Sequence, residues 1–388
     1  AATGALTLSA APAAAAGIKI TGGAGNDSLK GTAAGVDTLD GGAGDDTFTL
    51  TGLNYLDAVD GGAGADTVSV DMAITSATQL GGLSNVETMT FTGDNAIALA
   101  ANTSATTFNF TDTSDQVLTV DEGYTNATSV VLATYLAGDT TNPADGFINL
   151  ANVTSTVTAN TLGLDTELTL TGGTGTDTLQ LYLGGNADET LVNSVSGFEN
   201  FTILDNPVGN VATTLTFGAY LPGAGKHITI DASSLDLLDA AFTIDASSVA
   251  AAATGRQITY TDGANAGKIT LGNDDDTATM GSGNDTVVGT AGANTIVMGA
   301  GLDSVTAGTG AENISGGDGN DTINMGGNLT ALDTIDGGAG TDTLITTATI
   351  ASATILGGMS NVEVLSATGA TSITLAANIS ATTFNFAG

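Results

Sequence analysis

The sequence predicts an all-β protein in which short strands and tight turns repeat along the chain. Three observations support this prediction: a nine-residue period in Gly, Asp and apolar residues, a longer repeat of whole modules, and Thr- and Ile-rich segments bounded by Gly, Asp and Ser. Signals for helices are weak. The stretches between the nine-residue blocks fit either β-solenoid rungs or β-sandwich-like modules, because both are built from short alternating strands.

The nine-residue period is clearest from Met280 to Asn324, where five copies follow one another. They read M-G-S-G-N-D-T-V-V, G-T-A-G-A-N-T-I-V, M-G-A-G-L-D-S-V-T, A-G-T-G-A-E-N-I-S and G-G-D-G-N-D-T-I-N. The sixth place always holds an acid or an amide, and the eighth place always holds Val or Ile. This is the G-G-x-G-x-D-x-U-x nonapeptide of a calcium-binding parallel β-roll.

The residue types in the nonapeptide suit a turn that holds a hard cation. Gly permits the positive φ angles of a tight turn over the first six places, and the bend directs carbonyl oxygens inward. Ca²⁺ takes about six to eight oxygen ligands, and the sixth-place carboxylate adds charge, whereas Mg²⁺ demands a rigid octahedron and keeps its waters. We therefore predict several calcium ions shared between stacked turns, with folding and binding as one event.

The pattern occurs in two blocks and in one isolated turn. The isolated turn, G-G-T-G-T-D from Gly172, cannot complete a stacked site by itself, and Asn294 and Glu312 depart from Asp, so weak or empty sites are expected there. The residues predicted to bind calcium are turn and sixth-place positions: Gly22, Ala24, Asn26, Asp27, Asp37, Gly41, Ala43, Asp45, Asp46, Asp60, Asp66, Asp177, Asp276, Gly281, Gly283, Asp285, Asn294, Asp303, Glu312, Gly316, Asp318, Asp321, Asp333, Gly337, Ala339 and Asp342.

A longer repeat has an offset of 276 residues. The segment Q-L-G-G-L-S-N-V-E-T-M at 79–89 recurs as I-L-G-G-M-S-N-V-E-V-L at 355–365, and A-T-T-F-N-F follows both copies. A diverged middle copy, V-S-G-F-E-N-F, lies at 195–201. The pair of D-A-S-S segments that begin at Asp231 and Asp245 predicts the corners of stacked rungs. A tandem array of modules is the simplest interpretation.

The repeats divide the chain into five predicted segments. They are an N-terminal β-roll at 1–70, a β-rich module at 71–160, a second β-rich module with the isolated turn at 161–261, a C-terminal β-roll at 262–347, and the start of a repeated β module at 348–388.

The composition excludes several classes of function. Lys and Arg number 5 against 41 Asp and Glu, a formal charge of -36, so we expect no binding to nucleic acid or to anionic membranes. There is no Cys, which excludes disulfides and thiolate chemistry. No run of about 18 apolar residues is present, so no membrane insertion is expected.

The sequence predicts no catalytic residue. His227 is the only histidine, and a single histidine in a strand pattern is far more often structural than catalytic. The H-E-x-x-H and G-x-S-x-G motifs of metalloproteases and lipases are absent. Glu87 and Glu363 recur within S-N-V-E, and an acid repeated at one place of a module usually caps or pairs structurally.

The nonapeptides resemble those of RTX proteins, which are exported by type I secretion. The larger pattern, G-G-A-G-T-D-T-L, a spacer and G-G-M-S-N-V-E-V-L, is similar to Caulobacter-type RTX surface-layer (S-layer) proteins. This resemblance implies a secreted structural protein that assembles with copies of itself into a calcium-dependent lattice on the cell surface. It also implies attachment to lipopolysaccharide or another surface polysaccharide through a region not evident here.

Two other interpretations remain open. The chain fits a repeat segment of a large RTX adhesin or extracellular filament, and it fits an RTX enzyme whose catalytic domain lies outside this sequence. Because the sequence begins without Met and ends inside a repeat, we expect a segment or a processed product.

Overall fold

The computed structural model describes most residues of the two nonapeptide blocks and part of the chain between them. The described residues are 4–7, 17–74, 77–92, 96–99, 104–110, 117–120, 128–132, 147–149, 157–161, 169–172, 175–182, 188–190, 195–204, 213–217, 227–235, 242–249, 257–368, 374 and 380–387.

Almost all of the regular structure in these residues is β-strand. The first strands are β1 (Lys19–Gly23), β2 (Ser28–Lys30), β3 (Thr38–Ala43), β4 (Thr47–Leu50), β5 (Ala58–Ala63), β6 (Thr67–Val70), β7 (Leu83–Ser84), β8 (Thr88–Phe91), β9 (Ala96–Leu99), β10 (Thr107–Phe110), β11 (Val117–Val120), β12 (Thr128–Leu132), β13 (Phe147–Asn149), β14 (Val157–Thr161), β15 (Thr169–Thr171), β16 (Thr178–Tyr182), β17 (Asp188–Thr190) and β18 (Val195–Ser196). The later strands are β19 (Asn200–Leu204), β20 (Thr213–Thr216), β21 (Ile228–Asp231), β22 (Phe242–Asp245), β23 (Ile258–Thr261), β24 (Gly267–Thr270), β25 (Thr277–Thr279), β26 (Thr286–Val288), β27 (Thr295–Val297), β28 (Ser304–Thr306), β29 (Asn313–Ser315), β30 (Thr322–Gly326), β31 (Thr334–Asp336), β32 (Thr343–Thr346), β33 (Met359–Ser360), β34 (Val364–Thr368) and β35 (Thr383–Ala387).

The helical structure in the described part of the chain is limited to two 3-10 turns, Ala77–Leu80 and Ala353–Leu356. Neither has the length or the hydrophobicity that a membrane span needs.

The chain divides into two compact units. The first comprises Ala1–Gln180 with Asn193–Phe198, and the second comprises Leu181–Val192 with Glu199–Gly388. We refer to the predicted N-terminal β-roll, residues 1–70, as the first roll. The predicted C-terminal β-roll, residues 262–347, is the second roll. The five-segment division of the sequence stays a prediction.

The first unit is built from parallel strands that alternate between sheets. Strands β1, β3, β5 and β7 form one sheet in that order, and β2, β4, β6, β8, β10, β12, β14 and β16 follow one another in a second. Farther along the chain, β9, β11, β13, β15 and β18 are neighbours in a third sheet. Successive strands therefore lie in different sheets, as the coils of a solenoid require.

The second unit has the same construction with a regular spacing. One sheet has the order β19-β21-β23-β25-β27-β29-β31-β33, and the other has β17-β20-β22-β24-β26-β28-β30-β32-β34-β35. Thr277 lies opposite Thr295, and Thr295 lies opposite Asn313. Each strand thus pairs with the strand two nonapeptides away, since one nonapeptide crosses from one sheet to the other.

Eighth-place side chains form the core of both rolls. Val287, Ile296 and Ile323 are at most 1% exposed, and Leu29 and Phe48 occupy the corresponding buried position in the first roll. The residues on either side of each are half-buried or exposed, because successive side chains of a strand point to opposite faces. The core is consequently narrow, as the nonapeptide predicts, with one buried side chain in the three-residue strands and a second in longer ones such as β4, where Leu50 is buried as well.

The rungs that precede the second roll continue its stack. Strand β21 pairs with β23 and β22 pairs with β24, all in parallel. The D-A-S-S corners are confirmed as turns: the Ser233 N–H donates to Asp231 Oδ1, and the Ser247 N–H donates to Asp245 Oδ1, each at 3.0 Å. Of the two architectures that the sequence left open, the solenoid is therefore the one observed, and the predicted all-β class with parallel β-rolls is confirmed.

Replacing a core residue and its neighbour in one strand tests the one-sided core. Ile296→Ala should lower the free energy of unfolding of the calcium-saturated protein by about 2–4 kcal/mol, because it leaves a cavity. Val297→Ala is the matched control, since Val297 is 39% exposed, and should change that free energy by less than about 0.5 kcal/mol. Urea unfolding followed by circular dichroism measures both, and equal losses would contradict the assigned faces of this strand.

Candidate metal centre

Sixth-place side chains form hydrogen-bonded ladders between rungs. The Asp285 N–H donates to Asp303 Oδ1 at 2.8 Å, the Asp303 N–H to Asp321 Oδ1 at 2.9 Å, and the Asp321 N–H to Asp342 Oδ1 at 2.8 Å. Each carboxylate thereby fixes the backbone of the preceding rung on the same edge of the roll. All four residues are buried, with at most 3% of their surface exposed.

The second carboxylate oxygen of each of these residues has no hydrogen-bond partner. Oδ2 of Asp285, Asp303, Asp321 and Asp342 is buried and unpartnered. In the two turns of this row whose first place is Gly, Oδ2 lies over the Cα of that glycine: an added Cβ atom would be 2.7 Å from Asp321 Oδ2 at Gly316 and 2.8 Å from Asp342 Oδ2 at Gly337. The first-place Gly and the sixth-place Asp are therefore one structural pair, and the pair leaves an anionic oxygen without a partner from the protein.

Burial and like charge make these carboxylates hard to ionise without a cation. Burial, with the neighbouring carboxylates of Asp285 and Asp321, raises the pKa of Asp303 to about 7. Burial raises the pKa of Asp342 as well, and the carboxylates of Asp321 and Glu363 add to it. From Ile269 to the end of the sequence there is no Lys, Arg or His, so no side chain there can neutralise the ladder.

The two edges of the second roll differ in how the carboxylates are satisfied. We call the edge formed by Asp285, Asp303, Asp321 and Asp342 the unsatisfied edge, and the edge formed by Asp276, Asn294, Glu312 and Asp333 the satisfied edge. On the satisfied edge, Asp333 Oδ2 accepts from the Thr330 N–H at 2.7 Å, and Glu312 Oε1 accepts from Asn294 Nδ2 at 3.4 Å.

Asp276, in the first rung of the satisfied edge, is an exception to this division. Its Oδ2 is buried without a partner, and burial raises its pKa to about 7.

The first roll shows the same division between its edges. Asp27, Asp46 and Asp66 form a ladder in which every Oδ2 is buried without a hydrogen-bond partner. On the other edge, Asp37 Oδ2 accepts from the Thr32 N–H and Asp57 Oδ2 accepts from the Asn54 N–H, both at 2.7 Å. The 276-residue offset relates Asp66 to Asp342 and Asp57 to Asp333, so each roll has one unsatisfied and one satisfied edge at equivalent positions of the repeat.

The S-N-V-E segments end the ladders. Glu87 Oε2 accepts from the Asp66 N–H at 2.8 Å, and Glu363 Oε2 accepts from the Asp342 N–H at 2.9 Å. In both segments the preceding Asn adopts a positive φ, 50° at Asn85 and 51° at Asn361. The structural role of the two glutamates is confirmed, because each supplies the last acceptor of a ladder.

Fifth-place side chains form a second, exposed ladder that runs in the opposite direction. Asn26 Oδ1 accepts from the Asp45 N–H of the next rung at 2.9 Å, and Asp45 Oδ1 accepts from the Ala65 N–H at 2.9 Å. Asp60 is also exposed, and its Oδ1 accepts from Asn85 Nδ2 at 2.7 Å.

The other residues predicted to bind calcium lie in or beside the turns. Asp318 forms isolated bridges with Ala300 and Ala339, and Asp177 lies against Gly172 in the isolated turn. The remaining turn positions are Gly22, Ala24, Gly41, Ala43, Gly281, Gly283, Gly316 and Gly337. Their part in calcium binding stays a prediction.

The donor set of the unsatisfied edges fits a hard divalent cation. Among the described residues no group of three or more Asp, Glu, His or Cys side chains converges on one point. A cation at these turns must therefore combine a carboxylate oxygen with carbonyl oxygens of the glycine turns, which are the ligands that Ca²⁺ takes in flexible geometry. The buried, unpartnered Oδ2 atoms are the observation that supports this fit.

The nonapeptide pattern missed several residues of the ladders. Asp57 was outside the predicted set, although the 276-residue offset relates it to Asp333 and would have identified it. Glu87 and Glu363 were recognised as structural, but their place as the last members of the ladders was not. Asp262 was missed because its turn does not follow the nonapeptide.

Comparison with known proteins supports the repeats themselves. A family model of the RTX calcium-binding nonapeptide repeat, in four copies, matches residues 19–48, 49–71, 279–311, 288–323 and 332–348. These segments make up less than a third of the chain. The chain thus contains RTX repeats of the calcium-binding type, as the sequence predicts, whereas the resemblance to surface-layer proteins stays a prediction. No curated protein and no solved structure matches the chain.

The stability of the calcium-free protein should fall as pH rises. Folded pKa values of about 7 for Asp276 and Asp303 exceed the unfolded value of about 3.9. The folded state therefore binds more protons than the unfolded state. The stability that these protons contribute is fully present below about pH 4 and is lost as pH rises through about 7. Urea unfolding in calcium-free buffer should show higher stability near pH 5 than near pH 8, with a weaker pH dependence in Asp303→Asn. Stability that increases with pH would contradict this prediction.

The two edges should respond differently to the loss of one charge. Asp303→Asn keeps an acceptor for the Asp285 N–H but removes the unpartnered anion, so the number of bound calcium ions should fall. Asp333→Asn is the matched control on the satisfied edge. It should leave that number unchanged and cost about 1–3 kcal/mol with or without calcium, because it disturbs the acceptor of the Thr330 N–H. Native mass spectrometry and urea unfolding measure the two quantities. Equal calcium loss in both variants would show that the edges are equivalent.

Proposed function

We propose that this chain is a secreted, calcium-dependent structural protein that assembles with copies of itself into a surface-layer lattice. The observation that carries the proposal is the row of buried carboxylate oxygens without hydrogen-bond partners on one edge of each roll. Burying an unpaired charge is costly, so a fold that contains such a row needs a counter-ion.

Calcium supplies the positive charge that the unsatisfied edges lack. The residues then have separate tasks: Oδ1 of the sixth-place Asp fixes the preceding rung, a Gly at the first place, where present, makes room for Oδ2, and the apolar eighth-place residue fills the core. Because the carboxylates repel one another in the unliganded state, ordering of the rolls and calcium binding are coupled. Calcium is abundant outside cells, which agrees with export by the type I route that the RTX repeats suggest.

The long repeat supports assembly through recurring surfaces. Leu56 and Leu332 are related by the 276-residue offset, and each precedes the Asp of a satisfied edge. They are 52% and 76% exposed, and Tyr55 beside Leu56 is 67% exposed. A large apolar side chain exposed at the same position of two modules favours a contact surface used more than once. Calcium would rigidify the rolls that present these surfaces.

The tandem construction also favours a second candidate. Modules repeated in one chain are the architecture of an extender region in an adhesin or an extracellular filament. In that case calcium would stiffen a linear array, and copies of the chain would not form a two-dimensional lattice. Attachment to a surface polysaccharide belongs to either proposal and involves a region that the ladders do not include.

The proposal is tested by imaging the purified chain by negative stain in millimolar calcium and after EGTA, with circular dichroism on the same samples. We expect sheets or tubes with a two-dimensional repeat in calcium, and loss of both the assembly and the β-sheet signal in EGTA. One-dimensional fibres or monodisperse folded particles would instead support the filament or the adhesin segment. The absence of any response to calcium would overturn the metal-dependent function.

A paired variant tests the contact surface. Leu56→Ser combined with Leu332→Ser should leave the calcium-dependent circular dichroism unchanged but reduce assembly, because both side chains are exposed. Thr47→Ser, a conservative change at an exposed strand position of the first roll, serves as the control. Assembly that is equally efficient in the paired variant would show that the exposed leucines are not the contact.

A further inference from the structure

The turn Asp262–Gly267, at the start of the second roll, reverses the usual order of Gly and Asp. Its register is fixed by a hydrogen bond, because the Gly267 N–H donates to Asp285 Oδ1 at 2.8 Å, as the Asp285 N–H donates to Asp303. Gly267 therefore takes the sixth place and Asp262 the first, where the nonapeptide has Asp and Gly respectively. The family match in this part of the chain begins only at residue 279.

The Asp262 carboxylate fills the space that a sixth-place carboxylate fills elsewhere. A Cβ atom added at Gly267 would overlap Asp262 Oδ2, just as a Cβ atom added at Gly316 would lie 2.7 Å from Asp321 Oδ2. Asp and Gly have exchanged places, while a carboxylate still lies against the Cα of a glycine. The unsatisfied edge thus gains one more buried acid, although the sequence motif is lost.

Several polar atoms in this turn are buried without hydrogen-bond partners, namely Oδ2 of Asp262 and both Oδ1 and Nδ2 of Asn265. The Tyr260 hydroxyl is buried beside the Asp262 carboxylate and hydrogen-bonds to it. Asp262 is 6% exposed, Asn265 1% and Tyr260 0%. The Asp262 carboxylate also accepts from the Gly263 N–H, which donates to Oδ1 at 2.9 Å. Buried polar groups are nearly always paired in native proteins, so this concentration calls for a ligand.

We infer that Asp262, Asn265 and Asp285 form an additional calcium site between the turn Asp262–Gly267 and the turn that ends at Asp285. The site rests on calcium binding by the rolls, as proposed above, but not on their assembly into a lattice. Its donors are the carboxylate oxygens of Asp262 and Asp285 and the amide oxygen of Asn265, all of which are oxygens that Ca²⁺ accepts.

The charges favour a cation over water at this position. Asp262 and Asp285 are within electrostatic reach of each other, since the Asp285 carboxylate adds to burial in raising the pKa of Asp262. Both have a buried Oδ2 without a hydrogen-bond partner. Water molecules could bond to these oxygens, but they would leave two buried negative charges uncompensated. Lys268, the only charged residue of strand β24, is exposed.

Tyr260 provides a local probe for this site. It is the last tyrosine of the chain, and its hydroxyl is buried beside the Asp262 carboxylate. Tb³⁺ binds to oxygen-ligand calcium sites and emits when a nearby tyrosine transfers excitation energy to it. The part of the emission that disappears in Tyr260→Phe therefore reports on Tb³⁺ near Asp262, and the emission from other tyrosines remains.

The full chain is titrated with Tb³⁺ in wild type and Asp262→Asn, each with and without Tyr260→Phe, and bound calcium is counted by native mass spectrometry. We expect Asp262→Asn to abolish the Tyr260-dependent emission and to remove one calcium ion. Asp231→Asn, the same charge change at an exposed site in strand β21, should change neither. An unchanged calcium count and emission in folded Asp262→Asn would overturn the site. Absence of calcium from the wild type would overturn the proposed function itself.

A second set of variants distinguishes a cation site from a structural requirement for Asp262. Gly267→Asp alone places two carboxylates in one space and should reduce calcium binding and stability. Gly267→Asp combined with Asp262→Gly rewrites the turn as a standard Gly-to-Asp pair and should restore the wild-type calcium count. A double variant that folds but binds one ion fewer would show that the exchange of places is not equivalent, and would contradict the inference.

Discussion

The architecture of both rolls depends on a row of buried carboxylates, one per turn of the unsatisfied edge, that the protein satisfies on one side only. Oδ1 of Asp303 accepts the backbone N–H of the preceding rung, while Oδ2 is buried without a hydrogen-bond partner. Where the first place is Gly, as at Gly316 and Gly337, the same constraint accounts for that glycine, which leaves room for Oδ2. After Lys268 no cationic side chain follows that could neutralise the row in the second roll. The row also couples order to ligand binding, because the unliganded ladder stacks like charges in a buried row.

The difference between the two edges gives each roll one side that local donors complete and one side whose buried carboxylate oxygens lack a partner. On the satisfied edges, local donors such as the Thr32 and Thr330 N–H groups complete the carboxylates of Asp37 and Asp333. On the unsatisfied edges no such donor is present among the described residues, so stacking there depends on an external charge. Because this division recurs with the 276-residue repeat, it is a property of the module and not of one local sequence.

The ends of the ladders show how a repeat structure is started and stopped. Glu363 ends the second ladder by supplying an acceptor from a different motif, and Asp262 begins it from the opposite side of the turn. In both cases a carboxylate is retained while the nonapeptide pattern is not. The physical requirement at each position is an acceptor for a neighbouring N–H or a buried charge, and either can be met by a residue outside the motif.

The sequence by itself determined the nine-residue period, the parallel β-roll, the core residues and the sixth-place acids, because these follow from local turn geometry and from the alternation of side chains along a strand. Only the tertiary structure decided which carboxylates are satisfied, that Asp57 and Glu87 belong to the ladders, and that Asp262 replaces an absent sixth-place Asp. The ladders depend on hydrogen bonds between rungs that lie 18 to 21 residues apart, and the satisfied edges depend on local turn donors that the nonapeptide does not specify. The tertiary structure also decided between solenoid and sandwich modules, because a strand pattern specifies which faces are buried but not which strands become neighbours.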